Sequence, residues 1–204
     1  MCKRKEHILN YKSLALNQNW PKEFQELLIR KSFSTLPSWV GQSNNAPLNH
    51  IKYIFEIAQN QTIYLGLSYI GPANFAPLPS KSFSEGLWNY DLVEAFINLD
   101  QTQYLDQTQY IEINLSINGA WWAAQFNDDR ERNKDIPNIK LRDVVSYSVE
   151  NKNVVLASFS YKELDLKKQF NISAIIAGQY YSLNPAPRDT KPDFHLKQLR
   201  KQDP

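Results

Sequence analysis

The sequence predicts an all-β protein, a sandwich of two packed antiparallel sheets. β-Branched and aromatic residues recur in runs of six to nine, and clusters of Asn, Gln, Ser and Pro separate these runs. Apolar residues at helical spacing are scarce, which argues against a helical layer. The 204 residues suit one sandwich domain, which we expect at 21–196, between a mobile N-terminal segment at 1–20 and a tail at 197–204.

Local patterns place the strands and loops. Residues 51–58 and 62–69 read as a β-hairpin around a short polar turn. Residues 71–86 contain three prolines, and their apolar residues have neither helix nor strand spacing. This segment is therefore predicted to be a long loop. A short duplication of DQTQY within 100–110 reads as a local insertion. Further strands are predicted at 24–33, 90–98, 144–149, 154–161 and 170–176.

A second hairpin is predicted from strict alternation. Residues 110–117 alternate polar and apolar side chains without a miss. Asn118 and Gly119 follow them and suit the two positive-φ positions of a type I′ turn. Counting outward from a two-residue turn pairs Ser116 with Trp121. The polar face of this hairpin then consists of five side chains: Glu112, Asn114, Ser116, Trp121 and Gln125.

The predicted register decides which tryptophan of the hairpin is exposed. It turns Trp122 and Phe126 toward the core and Trp121 toward the polar face. An aromatic ring among hydrogen-bonding side chains is an arrangement that suits a sugar. The sequence therefore points to a binding face on this hairpin.

Charge and composition exclude several classes of function. The 23 Lys and Arg against 21 Asp and Glu leave a charge of +2, so we expect no nucleic-acid partner. No apolar run approaches the about 18 residues needed to cross a bilayer, and residues 1–7 do not read as a secretory signal. We therefore predict no membrane association and a cytoplasmic location.

Cys2 is the sole cysteine, so we expect neither a disulfide nor a cysteine-rich metal site. The mixed-charge run at 128–135 reads as a solvated loop.

Three motifs occur in order along the chain. Residues 87–97 read LWNYDLVEAFI, with a tryptophan, an acidic residue and Val-Glu-x-Phe-Ile on one strand. Residues 110–114 read YIEIN and lead into the Gly-containing hairpin, while 180–185 and 192–195 form a closing motif. This combination resembles the family 9 carbohydrate-binding modules and the wider DOMON-like group. The resemblance covers about residues 50–196 and implies a jelly-roll-like β-sandwich.

The resemblance also implies a binding slot in which tryptophan rings clasp a terminal sugar. By position in the motif, Trp88 matches one stacking tryptophan and Glu94 matches the glutamate that binds hydroxyl groups. Trp121 and Trp39 are the candidates for a second ring, although neither matches the family's second tryptophan. Three amide and carboxyl side chains of the hairpin complete the predicted ligand-binding set: Glu112, Asn114 and Gln125.

Glu94 leaves two interpretations open. Its predicted sheet face also carries Leu92 and Phe96, and a carboxylate between apolar side chains is costly unless it is paired or faces a cleft. A binding role is one interpretation. The other is a structural ion pair, for which Arg130 and Arg142 are the candidate partners.

We predict noncatalytic carbohydrate binding by a stand-alone DOMON-like protein, and three alternatives stay open. The same aromatic and polar face suits a protein partner. Glu94 and Glu112 would be the paired carboxylates of a glycosidase. Haem binding, known among DOMON relatives, would use His50, His195 or a tyrosine as the axial ligand. We expect no cofactor: some relatives hold structural calcium, but the chain has no DxDxDG-like loop.

Overall fold

The computed structural model describes residues 10–37, 51–99, 109–128, 130–133, 139–161, 166–184, 193–195 and 200–202. Two short helices begin the described chain, α1 at Tyr11–Asn17 and α2 at Lys22–Arg30. The strands follow in this order: β1 Ser34–Thr35, β2 Lys52–Ala58, β3 Thr62–Ile70, β4 Leu92–Leu99, β5 Tyr110–Ser116, β6 Trp121–Asp128, β7 Glu131–Arg132, β8 Ile139–Val149, β9 Lys152–Tyr161, β10 Leu166–Ile176, β11 Gln179–Ser182 and β12 Lys201–Gln202.

The strands form two sheets whose paired strands are all antiparallel. One sheet has five strands in the order β1-β2-β3-β9-β8, and the other has the order β11-β10-β4-β5-β6-β7, with β12 paired to β10. The predicted all-β sandwich is therefore confirmed. The core lies between the sheets, where alternate residues such as Leu65 and Leu67 of β3 meet Val93 and Ala95 of β4.

The helices belong to a compact unit of their own, which ends at Ser32. The second compact unit begins at Phe33 and contains the strands. The prediction of a strand at 24–33 is wrong, since these residues contain most of α2. Phe24, Leu27 and Leu28 are buried at the i, i+3 and i+4 spacing of one helix face. Neither helix of the described residues is long and apolar enough to cross a bilayer.

The hairpin of β5 and β6 differs from its predicted register by one residue. Its turn has three residues, 117–119, because the amide of Ser116 donates to the carbonyl of Ala120 at 2.8 Å. Gly119 has a φ of +87°, which is the left-handed position that closes a three-residue turn. The side-chain amide of Asn118 donates to the carbonyls of Ala76 and Leu78, so it is held by the preceding loop.

This one-residue shift exchanges the two faces of β6. Trp122 now opposes Asn114, on the outer face of the sheet, whereas Trp121 opposes Leu115 on the core face. Trp121 packs against Phe159 of the other sheet, with ring centroids 5.5 Å apart. The predictions that Trp122 and Phe126 face the core and that Trp121 and Gln125 face the polar side are therefore wrong.

Candidate functional site

A cleft of about 450 Å³ lies over the outer face of the larger sheet. Its floor comes from alternate residues of β4, β5 and β6, which point away from the core between the sheets. Its walls come from the loop before β4, the turn between β6 and β7, and the segment 193–195. Aromatic, acidic and basic side chains all line it, including Trp88, Glu94, Glu112, Trp122, Arg132 and His195.

Trp88 is presented at the cleft by a short 3₁₀ turn at Leu87–Asn89. Gly86 precedes this turn with a φ of +87°, a conformation that glycine adopts without strain. Leu87 is buried and anchors the turn, while the next side chain, Trp88, keeps 46% of its surface exposed. The carboxylate of Asp91 fixes the chain beyond the turn, since it accepts hydrogen bonds from the Tyr69 hydroxyl and the Asn74 amide.

Trp122 forms an aromatic corner with Trp88. The two ring centroids lie 6.4 Å apart and the ring planes meet at 80°, an edge-to-face contact. The guanidinium of Arg132 lies 5.0 Å from the Trp122 ring centroid. Arg132 also donates to the carboxylate of Glu85 at 2.8 Å, so this cation already has a partner at the rim.

Glu94 stands on the cleft floor and is almost fully buried. Its carboxyl accepts a hydrogen bond of 2.6 Å from the Ser173 hydroxyl on β10. Burial raises the pKa of Glu94 to about 7, and the bond from Ser173 opposes that rise only in part. Neither predicted arginine pairs with it: Arg130 donates to Asp193, and Arg142 donates to Thr62.

Glu112 lies on the neighbouring strand, on the same sheet face as Glu94. It accepts a hydrogen bond of 3.0 Å from the side chain of Asn114. Burial, and after it the carboxyl of Glu94, raise the pKa of Glu112 to about 8, although Asn114 and two arginines act in the opposite direction. This pair of buried carboxyl groups therefore retains a proton at neutral pH.

His195 closes one side of the cleft and stands against Glu112. Its Nδ1 shares a hydrogen bond of 2.7 Å with the Tyr110 hydroxyl, and its Nε2 lies 3.8 Å from a carboxyl oxygen of Glu112. Burial, and then the charge of Arg130, lower the pKa of His195 to about 4. The imidazole is consequently uncharged at neutral pH, and its contact with the protonated Glu112 is not an ion pair.

Asn114 lies two residues along β5 from Glu112, on the same sheet face, and is fully buried. Its Nδ2 donates to Glu112, while its Oδ1 is a buried acceptor without a hydrogen-bond partner among the described residues. Such an atom costs free energy unless a donor reaches it. Asn114 therefore orients Glu112 from the neighbouring position on the same sheet face and is not among the residues that line the cleft.

The structure brings together three of the predicted binding residues: Trp88, Glu94 and Glu112. Trp121 and Gln125 share the opposite sheet face, where Gln125 donates to the side chain of Gln109. Trp39 and His50 lie outside the described residues, as does most of the duplication at 100–110.

The cleft lining also includes residues that the sequence did not predict as binding residues, among them Trp122, Arg130, Arg132 and His195. The two arginines belong to the mixed-charge run at 128–135, for which the sequence predicts a solvated loop, although Glu131–Arg132 forms β7. Arg130 has a φ of +62° and donates to Asp193 at 3.0 Å, so the turn after β6 is tied to the segment 193–195. His195 does form the structural hydrogen bond that its motif suggested, but it also lines the cleft. Nowhere in the described ranges do three His, Cys, Asp or Glu side chains gather as a metal site.

No family model matches the sequence, and no curated protein matches it either. Among solved structures, the fold is similar to that of a "putative carbohydrate-binding protein" from Bacteroides uniformis ATCC 8492, with a TM-score of 0.60. The match covers 88% of this chain and 89% of the other at 11% identity. At that identity the likeness shows a shared fold and carries no information about a ligand.

Proposed function

We propose that this protein binds a carbohydrate, without catalysis, in the cleft over the larger sheet. The observation that carries the proposal is the corner of Trp88 and Trp122 beside the carboxyl groups of Glu94 and Glu112. Sugars combine apolar ring faces with hydroxyl groups, and this site offers both kinds of contact within about 450 Å³. The DOMON-like resemblance of the motifs around Trp88 and Glu94 supports the same proposal.

The two rings have different roles in this proposal. Trp88 lines the cleft and is half exposed, so it is the ring on which a sugar stacks. Trp122 is buried, and the Arg132 guanidinium lies over it, so it forms the back wall. The carboxyl groups then meet the hydroxyl groups at the edge of the sugar ring.

Isothermal titration calorimetry against a panel of mono- and oligosaccharides tests this function. We expect saturable binding with a Kd of about micromolar to millimolar, as for an open site that orders few groups. Trp88→Ala should abolish it. Phe75→Ala is the matched control, because Phe75 is an equally exposed aromatic of the same loop, at 45% against 46%, and does not line the cleft.

If Phe75→Ala abolished sugar binding as completely as Trp88→Ala, the assignment of the sugar site to this cleft would be contradicted. No response from any sugar would contradict carbohydrate binding itself. A protein partner for the same aromatic and polar surface would then become the leading proposal.

A second candidate, a glycoside hydrolase, is favoured by one specific observation. Two carboxyl groups with raised pKa values in a single cleft are the groups from which a catalytic acid is made. Release of a chromophore from aryl glycosides, lost in both Glu94→Gln and Glu112→Gln, would favour hydrolysis over binding. Sugar binding without any release would leave the noncatalytic proposal in place.

A further inference from the structure

The charge arrangement of the cleft bears on the class of carbohydrate that fits it. Glu94 and Glu112 are both buried, and no Lys or Arg of the described residues lies within ion-pair distance of either. Their hydrogen-bond partners are neutral, namely Ser173 for Glu94 and Asn114 for Glu112. Two ionised carboxylates in this position would lack compensation, which proteins avoid by retaining a proton.

The cations near the cleft are already engaged at its rim. Arg130 is paired with Asp193 at 3.0 Å, and Arg132 with Glu85 at 2.8 Å. His195 adds no charge, because burial keeps its imidazole neutral. An anionic ligand would therefore have to break an existing ion pair to find a cation.

We infer that the cleft selects an uncharged saccharide, to which the Glu94 and Glu112 pair donates a hydrogen bond from a retained proton. This inference rests on the proposed carbohydrate-binding function. A protonated carboxyl offers one donor and one acceptor, which matches a sugar hydroxyl that needs both. A uronic acid would add a negative charge beside this pair, and an amino sugar would compete with the retained proton.

Raising the pH should weaken binding of an uncharged sugar. Loss of the retained proton removes the donor and leaves buried negative charge. The charged and titratable groups that face the pair come from every surrounding element: Glu85, Tyr110, Arg130, Arg132, Tyr180 and His195. The two arginines favour the ionised pair but stay bound to their own partners, so they reduce the pH effect without abolishing it.

Calorimetric titration of the purified protein with nine probes tests the inference. The probes are glucose, galactose and mannose, the 2-amino sugar of each, and the uronic acid of each. At neutral pH at least one uncharged sugar should bind about tenfold more tightly than its charged counterparts. Its affinity should fall about tenfold or more between about pH 6 and about pH 9.

Glu112→Gln provides the matched control for the pH dependence. Glutamine keeps an oxygen for Asn114 and an amide donor for the ligand but does not titrate in this range, so the fall with pH should shrink. Tighter binding of an amino sugar or a uronic acid would overturn the inference while leaving carbohydrate binding intact. An affinity independent of pH would do the same. Failure of all nine probes would count against the proposed function itself.

Discussion

Replacing Glu112 with glutamine should make the protein more stable at alkaline pH and leave its stability at about pH 4 nearly unchanged. The unfolded chain releases the proton of this residue near the ordinary pKa of 4.5, whereas the folded protein holds it up to about 8. Between these values the folded state binds more protons than the unfolded state. Raising the pH therefore lowers the free energy of unfolding of the wild type, and the variant escapes this loss.

The size of the effect follows from the two pKa values. A rise from 4.5 to about 8 corresponds to about 5 kcal/mol in the alkaline limit, of which about 3 kcal/mol is lost by pH 7. Glutamine preserves the bond from Asn114 and the shape of the side chain, so little else changes at the cleft floor. The difference between the two proteins reports the titration of the Glu94 and Glu112 pair, because the two carboxyl groups interact and the more distant titrating groups are common to both proteins.

Urea unfolding at a series of pH values, followed by circular dichroism, measures this difference. The gap between variant and wild type should open steadily from about pH 5 to about pH 8. Glu85→Gln is the control, since it removes an exposed carboxylate from the rim and should change stability by less than about 1 kcal/mol throughout. Parallel curves for wild type and Glu112→Gln would refute the reasoning that Glu112 is buried in its protonated form.

Three other predictions concern packing and turns. Trp122→Ala should lower the free energy of unfolding by about 3–5 kcal/mol because its ring is buried. Trp88→Ala should lower it by about half as much, because Trp88 is half exposed. Urea unfolding compares the two, and equal losses would argue that Trp88 is a core residue. Gly119→Ala should lower Tm, because a φ of +87° costs alanine about 1–2 kcal/mol and its Cβ would lie 2.7 Å from the Ser80 hydroxyl. An unchanged Tm would contradict the three-residue turn. Asp91→Asn should cost about 2–4 kcal/mol, because its carboxylate accepts three hydrogen bonds, and faster amide exchange in the loop before β4 would report the loss.

The strands of the sandwich could be predicted because they carry their own pattern. Hairpin β2–β3 and strands β4, β5, β9 and β10 have runs of β-branched and aromatic residues that mark them locally. Helix α2 was missed because Phe24, Leu27 and Leu28 were interpreted as part of a strand run. Their spacing and the proline before the helix are helix signals that the strand interpretation passed over.

Residues of the site could be predicted only where the pattern of a single strand, or a single motif, was enough to place the side chain. Glu94 and Glu112 follow from alternation within their own strands, and Trp88 from its motif. The face of Trp122 depended on the turn length, which is linked to bonds from Asn118 to carbonyls about forty residues earlier in the chain. Local pattern does not contain that information, so a one-residue error in the turn exchanged the two faces of a strand.

The central claim, that the cleft binds a carbohydrate, is tested most directly by nuclear magnetic resonance of the indole N–H groups. Titrating the labelled protein with the tightest sugar of the panel should shift the signals of Trp88 and Trp122 in a saturable way. The signal of Trp121 should stay in place, because its ring lies on the other sheet face against Phe159. Saturable shifts at Trp121 alone, or no saturable shift at any tryptophan, would contradict the account.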